Sequence, residues 1–153
     1  MQKKEYEASN KIKSFIQKIE GLRLIVYNDG AGNNTIGYGH KLPKDDPTKT
    51  ITLEIAETLL ENDIAMVVQP LNKIIKIPLA QSEFDALVSF VFNIGIDAFI
   101  HSSVFLYLNQ GYKTEAATWF TRWSHEGKIA IEGLLTRRTK ELCIFIGLPI
   151  AEY

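Results

Sequence analysis

The chain of 153 residues is long enough to bury one hydrophobic core, and its 46% hydrophobic and 23% charged residues are the proportions of a globular protein. This composition excludes disordered, collagen-like and low-complexity chains. A formal charge of −1 without a long run of like charge argues against a nucleic-acid partner, and the single Cys143 excludes an intramolecular disulfide. Because no cysteine and histidine residues have the spacing of zinc ligands, we expect neither a metal nor a cofactor.

Neither a signal peptide nor a membrane span is expected. The lysines near the N-terminus are not followed by an apolar segment. The most apolar stretch, 86–100, is interrupted by polar residues and is shorter than the ~20 residues that a spanning helix needs.

A short helix is the first predicted element. Apolar residues recur there with the spacing that lines one helix face: Ile12, Phe15, Ile16 and Ile19. Ser9 or Asn10 would cap the start of this helix, and Gly21 would end it. Glu20 is therefore predicted to lie in the last turn.

A β-hairpin is predicted next, with strands over 24–27 and 35–40 joined by the turn-rich stretch 28–34. Gly37 and Gly39 would weaken an isolated strand. They indicate instead a bend, or a close approach of the backbone to another group.

The remainder is predicted to be almost entirely helical. A long helix begins near Thr52, and Pro70 is predicted to end or kink it. Further helical patterns cover 83–95, then a segment ending at Gly111, a helix starting at Thr114, and about 134–147. The long helix is expected to bury Ala56, Leu59, Leu60, Ile64, Val67 and Val68. The last helix is expected to bury Leu135, Leu142, Phe145 and Ile146.

These elements predict an α+β protein with one domain over 1–153 and a cleft between two lobes. The lobe carrying the antiparallel β-hairpin sheet would cover about 20–60, and the mostly helical lobe about 10–19 and 61–153. The tryptophans at 119 and 123 have the spacing that puts both on one helix face, which usually serves packing.

Three polar residues in the window 20–40 could carry chemistry: Glu20, Asp29 and Thr35. A carboxylate beside the negative end of a helix dipole is disfavoured as an anion, whereas Asp29 in a polar turn stays solvated and ionised. Two carboxyl groups in different environments are what glycoside hydrolysis uses. The spacing alone is common, however, and equally fits two solvated charges near a loop.

The order of the motifs adds a specific resemblance. Three motifs occupy the window: Glu20-Gly21-Leu22-Arg23-Leu24, Tyr27-Asn28-Asp29 and Thr35-Ile36-Gly37-Tyr38-Gly39-His40. Two more lie downstream, over 81–95 and over 133–138. Together they resemble the phage-type lysozymes, a glycoside hydrolase family of T-even-phage and lambdoid endolysins, and the resemblance covers about 10–147.

The resemblance implies an enzyme that cleaves the β-1,4 bond between N-acetylmuramic acid and N-acetylglucosamine in peptidoglycan. Glu20 would be the general acid. Asp29 would stabilise positive charge at the anomeric carbon or, with the Thr35 hydroxyl, orient an attacking water. The T-even branch implies inversion, which needs carboxyl groups about 6.5–9.5 Å apart.

The same resemblance suggests supporting residues. Leu42, Phe92 and Asn93 would line the saccharide cleft, although Leu42 and Phe92 fit a core position equally well. His40 is expected to bond a carboxylate across the cleft rather than act as a base. Arg137 or Arg138 would approach Glu20, or both could be solvated helix charges.

Two other functions stay open at this point. One is a non-catalytic peptidoglycan-binding module, because a fold alone does not prove activity. The other is a lytic transglycosylase, which needs an acid but can do without Asp29. The resemblance further implies a monomer made in the cytoplasm of a bacterial host, which reaches the periplasmic wall through a membrane hole formed by a holin.

Overall fold

The computed structural model describes residues 2–149. That part of the chain forms an α+β fold with seven α-helices, a three-stranded antiparallel sheet and a two-stranded ribbon. The helices are α1 Asn10–Glu20, α2 Leu53–Ile74, α3 Gln81–Ile94, α4 Ile96–Ile100, α5 Ser103–Asn109, α6 Lys113–Thr118 and α7 Glu132–Phe145. The strands are β1 Arg23–Asn28, β2 Asn34–Gly37, β3 His40–Lys41, β4 His125–Glu126 and β5 Ile129–Ala130. The predicted fold class is confirmed.

Helix α1 begins with the predicted Ser9 cap. The Ser9 hydroxyl accepts a hydrogen bond from the Ile12 N–H at 3.2 Å and donates one to Asp85 Oδ2 at 2.5 Å. The predicted apolar face is buried except at Ile19, which is 36% exposed, because the last turn extends past the core that covers Phe15. The prediction for Ile19 is therefore wrong.

Replacing Ser9 by alanine is expected to lower the free energy of unfolding by about 1–2 kcal/mol, because both the helix cap and the bond to Asp85 are lost. Urea denaturation measures this difference. Ser14→Ala is the matched control, since Ser14 is an exposed residue inside the same helix. Alanine is the better helix former there, so the control should be neutral or slightly stabilising. Equal stability of the two variants would contradict the capping role.

The sheet differs from the predicted hairpin because the second strand is split. Strands β1, β2 and β3 lie in that order, and Ile36 pairs with His40 across a tight turn. Gly37 and Gly39 have φ angles of 66° and 76°, in the left-handed region that glycine adopts without strain. The bend that these two glycines indicated is confirmed.

Helix α2 does not end at Pro70. It continues to Ile74, and Leu71 just beyond the proline is fully buried in the core. Asn72 adds two hydrogen bonds to the backbone of Tyr6, one from its amide and one to its oxygen, each 2.8 Å long. These tertiary contacts hold the last turn although the proline removes one helical hydrogen bond.

The segment between Gly95 and Gly111 contains two short helices, α4 and α5. Helix α6 ends at Thr118, and a 3-10 turn over Phe120–Arg122 separates Trp119 from Trp123. The prediction that both tryptophans share one helix is therefore wrong. Trp119 stacks on Tyr107, whereas the Trp123 ring meets Phe90 edge-on.

Helix α3 is the central core helix, and α7 packs against it. Leu135 and Ile146 were expected to face the core, but they are 47% and 54% exposed. Phe145 is buried as predicted, and the other buried residues of α7 are Arg137, Arg138, Glu141 and Ile144. The hydrophobic pattern predicted the wrong face for Leu135 and Ile146 because three of the five buried residues are charged. No helix in the described range 2–149 combines the length and hydropathy that a membrane span requires.

Candidate active site

Glu20 is the last residue of α1, and each of its carboxyl oxygens has a neighbour far along the chain. Oε1 accepts a hydrogen bond from Arg137 Nη1 at 2.8 Å. On the other side, a Cβ atom built on Gly39 would lie 2.7 Å from Oε2. Only glycine allows the backbone to come this near, so the close approach that Gly39 indicated is confirmed.

The approaching arginine is Arg137, and α3 holds it in place. Its Nη2 donates to the Ser89 carbonyl at 3.0 Å and to the Ser89 hydroxyl at 3.3 Å. The side chain is only 5% exposed, whereas that of Glu20 is 22% exposed. The ion pair therefore fixes the carboxyl from the buried side and leaves it reachable from solvent.

Arg138 does not contact Glu20 and binds three other groups instead. It is fully buried and donates to Glu141, to Asn93 Oδ1 and, at 3.0 Å, to the Trp123 carbonyl. Its guanidinium also lies 5.0 Å from the centre of the Phe90 ring. Burial lowers the pKa of Arg138, and the carboxylate of Glu141 opposes this effect.

Glu141 is the most deeply buried acidic residue of the site. Burial raises its pKa to about 7, although both neighbouring arginines and a hydrogen bond from Ser89 lower it. The loss of hydration therefore outweighs two favourable ion pairs. A carboxyl group that changes charge near neutral pH lies next to the arginine that holds Glu20.

Asp29 lies in the loop between β1 and β2 and is fully solvent-exposed. Its Oδ1 accepts hydrogen bonds from the N–H groups of Ala31 and Asn33, and its Oδ2 accepts one from the Asn33 side chain at 3.0 Å. The Asn33 side chain and then these backbone donors lower the pKa of Asp29. Asp29 is thus a fixed, ionised carboxylate, as expected for a residue in a polar turn.

Thr35 is buried on β2, opposite Tyr27 of β1 and Lys41 of β3. Its hydroxyl donates to the Asn33 carbonyl at 3.3 Å. Thr35 and Asp29 therefore share Asn33 as a neighbour, which ties the start of β2 to the loop that holds the carboxylate.

A cleft of about 540 Å³ lies beside Gly39, the residue whose backbone approaches Glu20. It is lined by residues 39–41 at the start of β3, and by Asp63, Met66 and Val67 of α2. Residues 92–95, at the C-terminal end of α3, complete the lining. Phe92 and Asn93 are among these lining residues. Leu42 lies outside this cavity, where its N–H donates to the Asn34 carbonyl.

His40 contacts α2 at the edge of this cleft. Its Nδ1 lies 2.8 Å from Asp63 Oδ2, and both side chains are about a quarter exposed, at 25% and 23%. The contact joins the sheet to the long helix, and both residues line the same cleft.

The sequence reasoning missed Asp63, Ser89 and Glu141. Asp63 lies next to the apolar face of α2, where an acidic residue signals a tertiary partner. The spacing of Glu141 from the two arginines, three and four residues, could have indicated a charge cluster on α7. Ser89 carried no such signal.

A solvent-reachable carboxyl at a helix end, fixed by a buried arginine and facing a small antiparallel sheet, is the arrangement of a lysozyme-like protein. The fold matches the endolysin from Escherichia coli O157:H7 phage FAHEc1 with a TM-score of 0.85 and 37% identity, covering 97% of this chain and 100% of that one. It matches the muramidase domain of SpmX from Asticaccaulis excentricus with a TM-score of 0.83 and 36% identity, covering 92% and 98%.

The phage lysozyme family model matches residues 17–141, and the chain belongs to this family. It is also 41% identical over 138 residues to an endolysin of Bacillus phage PZA. That match covers 89% of this chain and 52% of the relative, so the chain spans about half the length of that endolysin.

Proposed function

We propose that the protein is a muramidase that hydrolyses the β-1,4 bond between N-acetylmuramic acid and N-acetylglucosamine in bacterial peptidoglycan. The observation that carries this proposal is the Glu20 carboxyl, which Arg137 binds on one oxygen and which faces the cleft residue Gly39 with the other. Membership of the phage lysozyme family supports the same activity.

In the proposed reaction, Glu20 donates a proton to the glycosidic oxygen as the bond breaks. The ionised Asp29 stabilises the positive charge that develops at the anomeric carbon or, with the Thr35 hydroxyl, orients the attacking water. The three hydrogen bonds from Ala31 and Asn33 support this role, because they hold the Asp29 carboxylate in one orientation.

Phe92 and Asn93 are proposed to contact the saccharide, since both line the cleft. Arg138 would position Asn93 through the hydrogen bond to its Oδ1. Leu42 is proposed to contact the glycan strand at a point outside this cavity. The protein is further proposed to act as a monomer that reaches the periplasmic wall through a holin-formed hole. Its relatives named endolysin come from phages, which fits release during host lysis.

Turbidity loss on purified Gram-negative sacculi, with mass spectrometry of the released glycan ends, tests this function. Hydrolysis predicts clearing with reducing muramic acid ends. Clearing with 1,6-anhydro ends would instead identify a lytic transglycosylase. Binding to intact sacculi without released ends would identify a non-catalytic wall-binding module.

Asp29→Asn is expected to reduce hydrolysis by at least about tenfold, because the charge that stabilises the transition state is lost while the loop contacts are largely kept. The rate of release of reducing ends measures the effect. Asp45→Asn is the control, since Asp45 is an exposed loop carboxylate. Unchanged hydrolysis in the Asp29 variant would remove this residue from the mechanism.

Gly39→Ala is expected to lower hydrolysis by about 10- to 100-fold, because the new Cβ would displace the Glu20 carboxyl. Gly111→Ala is the matched control. Gly111 also has a positive φ, 86°, but a Cβ there would meet nothing within 4 Å. Both variants should lose about 1 kcal/mol of stability from backbone strain, yet only the first should lose activity. Equal activity of the two would contradict the contact.

A further inference from the structure

We propose that Lys41 is a specificity-determining residue of the cleft, whose ammonium group binds a carboxylate of the muramic acid branch of peptidoglycan. This branch is the lactyl ether of muramic acid, with or without its stem peptide. The inference rests on the proposed peptidoglycan substrate. It deepens that proposal, because it names a part of the polymer that the cleft recognises besides the scissile bond.

The register of the sheet places Lys41 beside a proposed catalytic residue. Lys41 lies directly opposite Thr35 in the antiparallel pair of β2 and β3, and Thr35 lies opposite Tyr27 of β1. The side chains of directly opposite residues project from the same face of a sheet. Lys41 therefore shares a sheet face with the hydroxyl that is proposed to orient the attacking water, and it is one of the residues that line the cleft.

Within the described structure, Lys41 is the ionisable residue of the cleft lining that lacks a close partner. The other two, His40 and Asp63, lie 2.8 Å apart and satisfy each other. The Lys41 ammonium group, in contrast, forms no hydrogen bond or ion pair with residues 2–149. Because the side chain is exposed, an anionic ligand in the cleft can reach it.

Asp29 is near Lys41 but does not take the place of that partner. Its two carboxylate oxygens already accept hydrogen bonds from Ala31 and Asn33. The Asn33 side chain is the main cause of the lowered pKa of Asp29, and the charge of Lys41 adds a smaller contribution in the same direction. The two charges therefore interact across a distance longer than an ion pair, and the Lys41 ammonium group stays free to bind a ligand.

Peptidoglycan carries the matching anion on muramic acid. N-acetylglucosamine is uncharged, whereas the lactyl ether of muramic acid ends in a carboxyl group. That carboxyl group is either free or joined to a stem peptide, which has carboxylates of its own. Both sources present a carboxylate, to which an ammonium group donates a charge-assisted hydrogen bond. A cation at this position would therefore favour muramic acid over N-acetylglucosamine beside β3 and so set the register of the bound strand.

Calorimetric titration of Glu20→Gln protein with soluble peptidoglycan fragments tests the contact without cleavage. Adding Lys41→Met is expected to raise the Kd about three- to tenfold, between the values for an exposed ion pair and for a hydrogen bond to a charged group. Lys41→Arg keeps the positive charge and should stay within about twofold of the parent. Lys73→Met is the matched control, because Lys73 is exposed in the last turn of α2, outside the cleft lining. An unchanged Kd in Lys41→Met would overturn the proposal.

Chemically altered fragments test whether Lys41 recognises a carboxylate. Carbodiimide coupling to methylamine neutralises the carboxyl groups, and such fragments should bind the parent and Lys41→Met equally. A weakening by Lys41→Met that persists on neutralised fragments would refute carboxylate recognition. Fragments stripped of their stem peptides by an amidase separate the two sources. An undiminished effect of Lys41→Met on them identifies the lactyl carboxylate, and a lost effect identifies the stem peptide.

These binding measurements separate the inference from the proposed hydrolysis. If wild type releases no glycan ends from sacculi, yet Lys41→Met still weakens the binding of untreated fragments alone, the muramidase function fails and the carboxylate contact stands. If wild type hydrolyses sacculi but the Kd does not depend on Lys41, only the contact fails.

Discussion

Replacing Glu20 by glutamine is expected to lower the rate of peptidoglycan hydrolysis by about 100- to 10,000-fold, the range typical of a lost general acid. Glutamine has the same shape and can still accept the hydrogen bond of Arg137, but it cannot donate a proton to the glycosidic oxygen. Release of reducing muramic acid ends from sacculi measures the rate.

The fold should survive this substitution, because the Glu20 side chain is partly exposed and its oxygen acceptor is retained. Glu61→Gln is the matched control. Glu61 is 59% exposed and pairs with Lys13 on the surface, so its loss should change neither activity nor stability measurably. Clearing by the Glu20 variant at the wild-type rate would refute the muramidase mechanism.

Arg138→Met is expected to lower the free energy of unfolding by about 3–5 kcal/mol at pH 8, because it leaves Glu141 buried without its closest cation. Chemical denaturation at fixed pH measures the loss. The substitution keeps an aliphatic chain of comparable length against Phe90, so the effect reports the charge more than the packing.

The loss should be smaller near pH 5, by up to about 1.4 kcal/mol. The pKa of Glu141 is raised from 4.5 to about 7, so the folded state binds more protons than the unfolded state between these values. The stability that this difference contributes is fully present below 4.5 and is lost as the pH rises through 7. Without Arg138, Glu141 can still become neutral at low pH, which removes the part of the penalty that comes from its buried charge.

Lys128→Met is the control for this pH series, because Lys128 is an exposed cation in the turn between β4 and β5. Its unfolding free energy should stay within about 0.5 kcal/mol of wild type at both pH values. A loss in Arg138→Met that does not depend on pH would show that the substitution leaves the protonation of Glu141 unchanged over this pH range.

Local sequence signals predicted the part of the site that lies within one stretch of chain. The apolar spacing of α1, the Ser9 cap and the end at Gly21 placed Glu20 in a last helical turn, as the structure has it. These signals act between residues a few positions apart, so they can be read directly from the sequence. Gly37 and Gly39 likewise indicated a bend or a close backbone approach, and the structure has both, with Gly39 close to Glu20.

Helix α7 shows where such signals fail. Its buried face includes Arg137, Arg138 and Glu141. Apolar periodicity therefore predicts the wrong buried face, with Leu135 facing the core. Charges can occupy a core face only when partners from other elements satisfy them. Those partners, Ser89 on α3 and Glu20 on α1, are remote in sequence.

The sequence by itself determined the fold class and the position of Glu20 at a helix end, because periodicity, capping and turn chemistry are local. The order of its motifs carried the resemblance to the family. Only the tertiary structure decided that Arg137 rather than Arg138 binds Glu20. It also decided that Asp63 binds His40 and that α2 continues past its proline. Each of these depends on burial and ion pairing between segments far apart in the chain, which exist only once α3 and α7 have packed together and α2 has met the sheet.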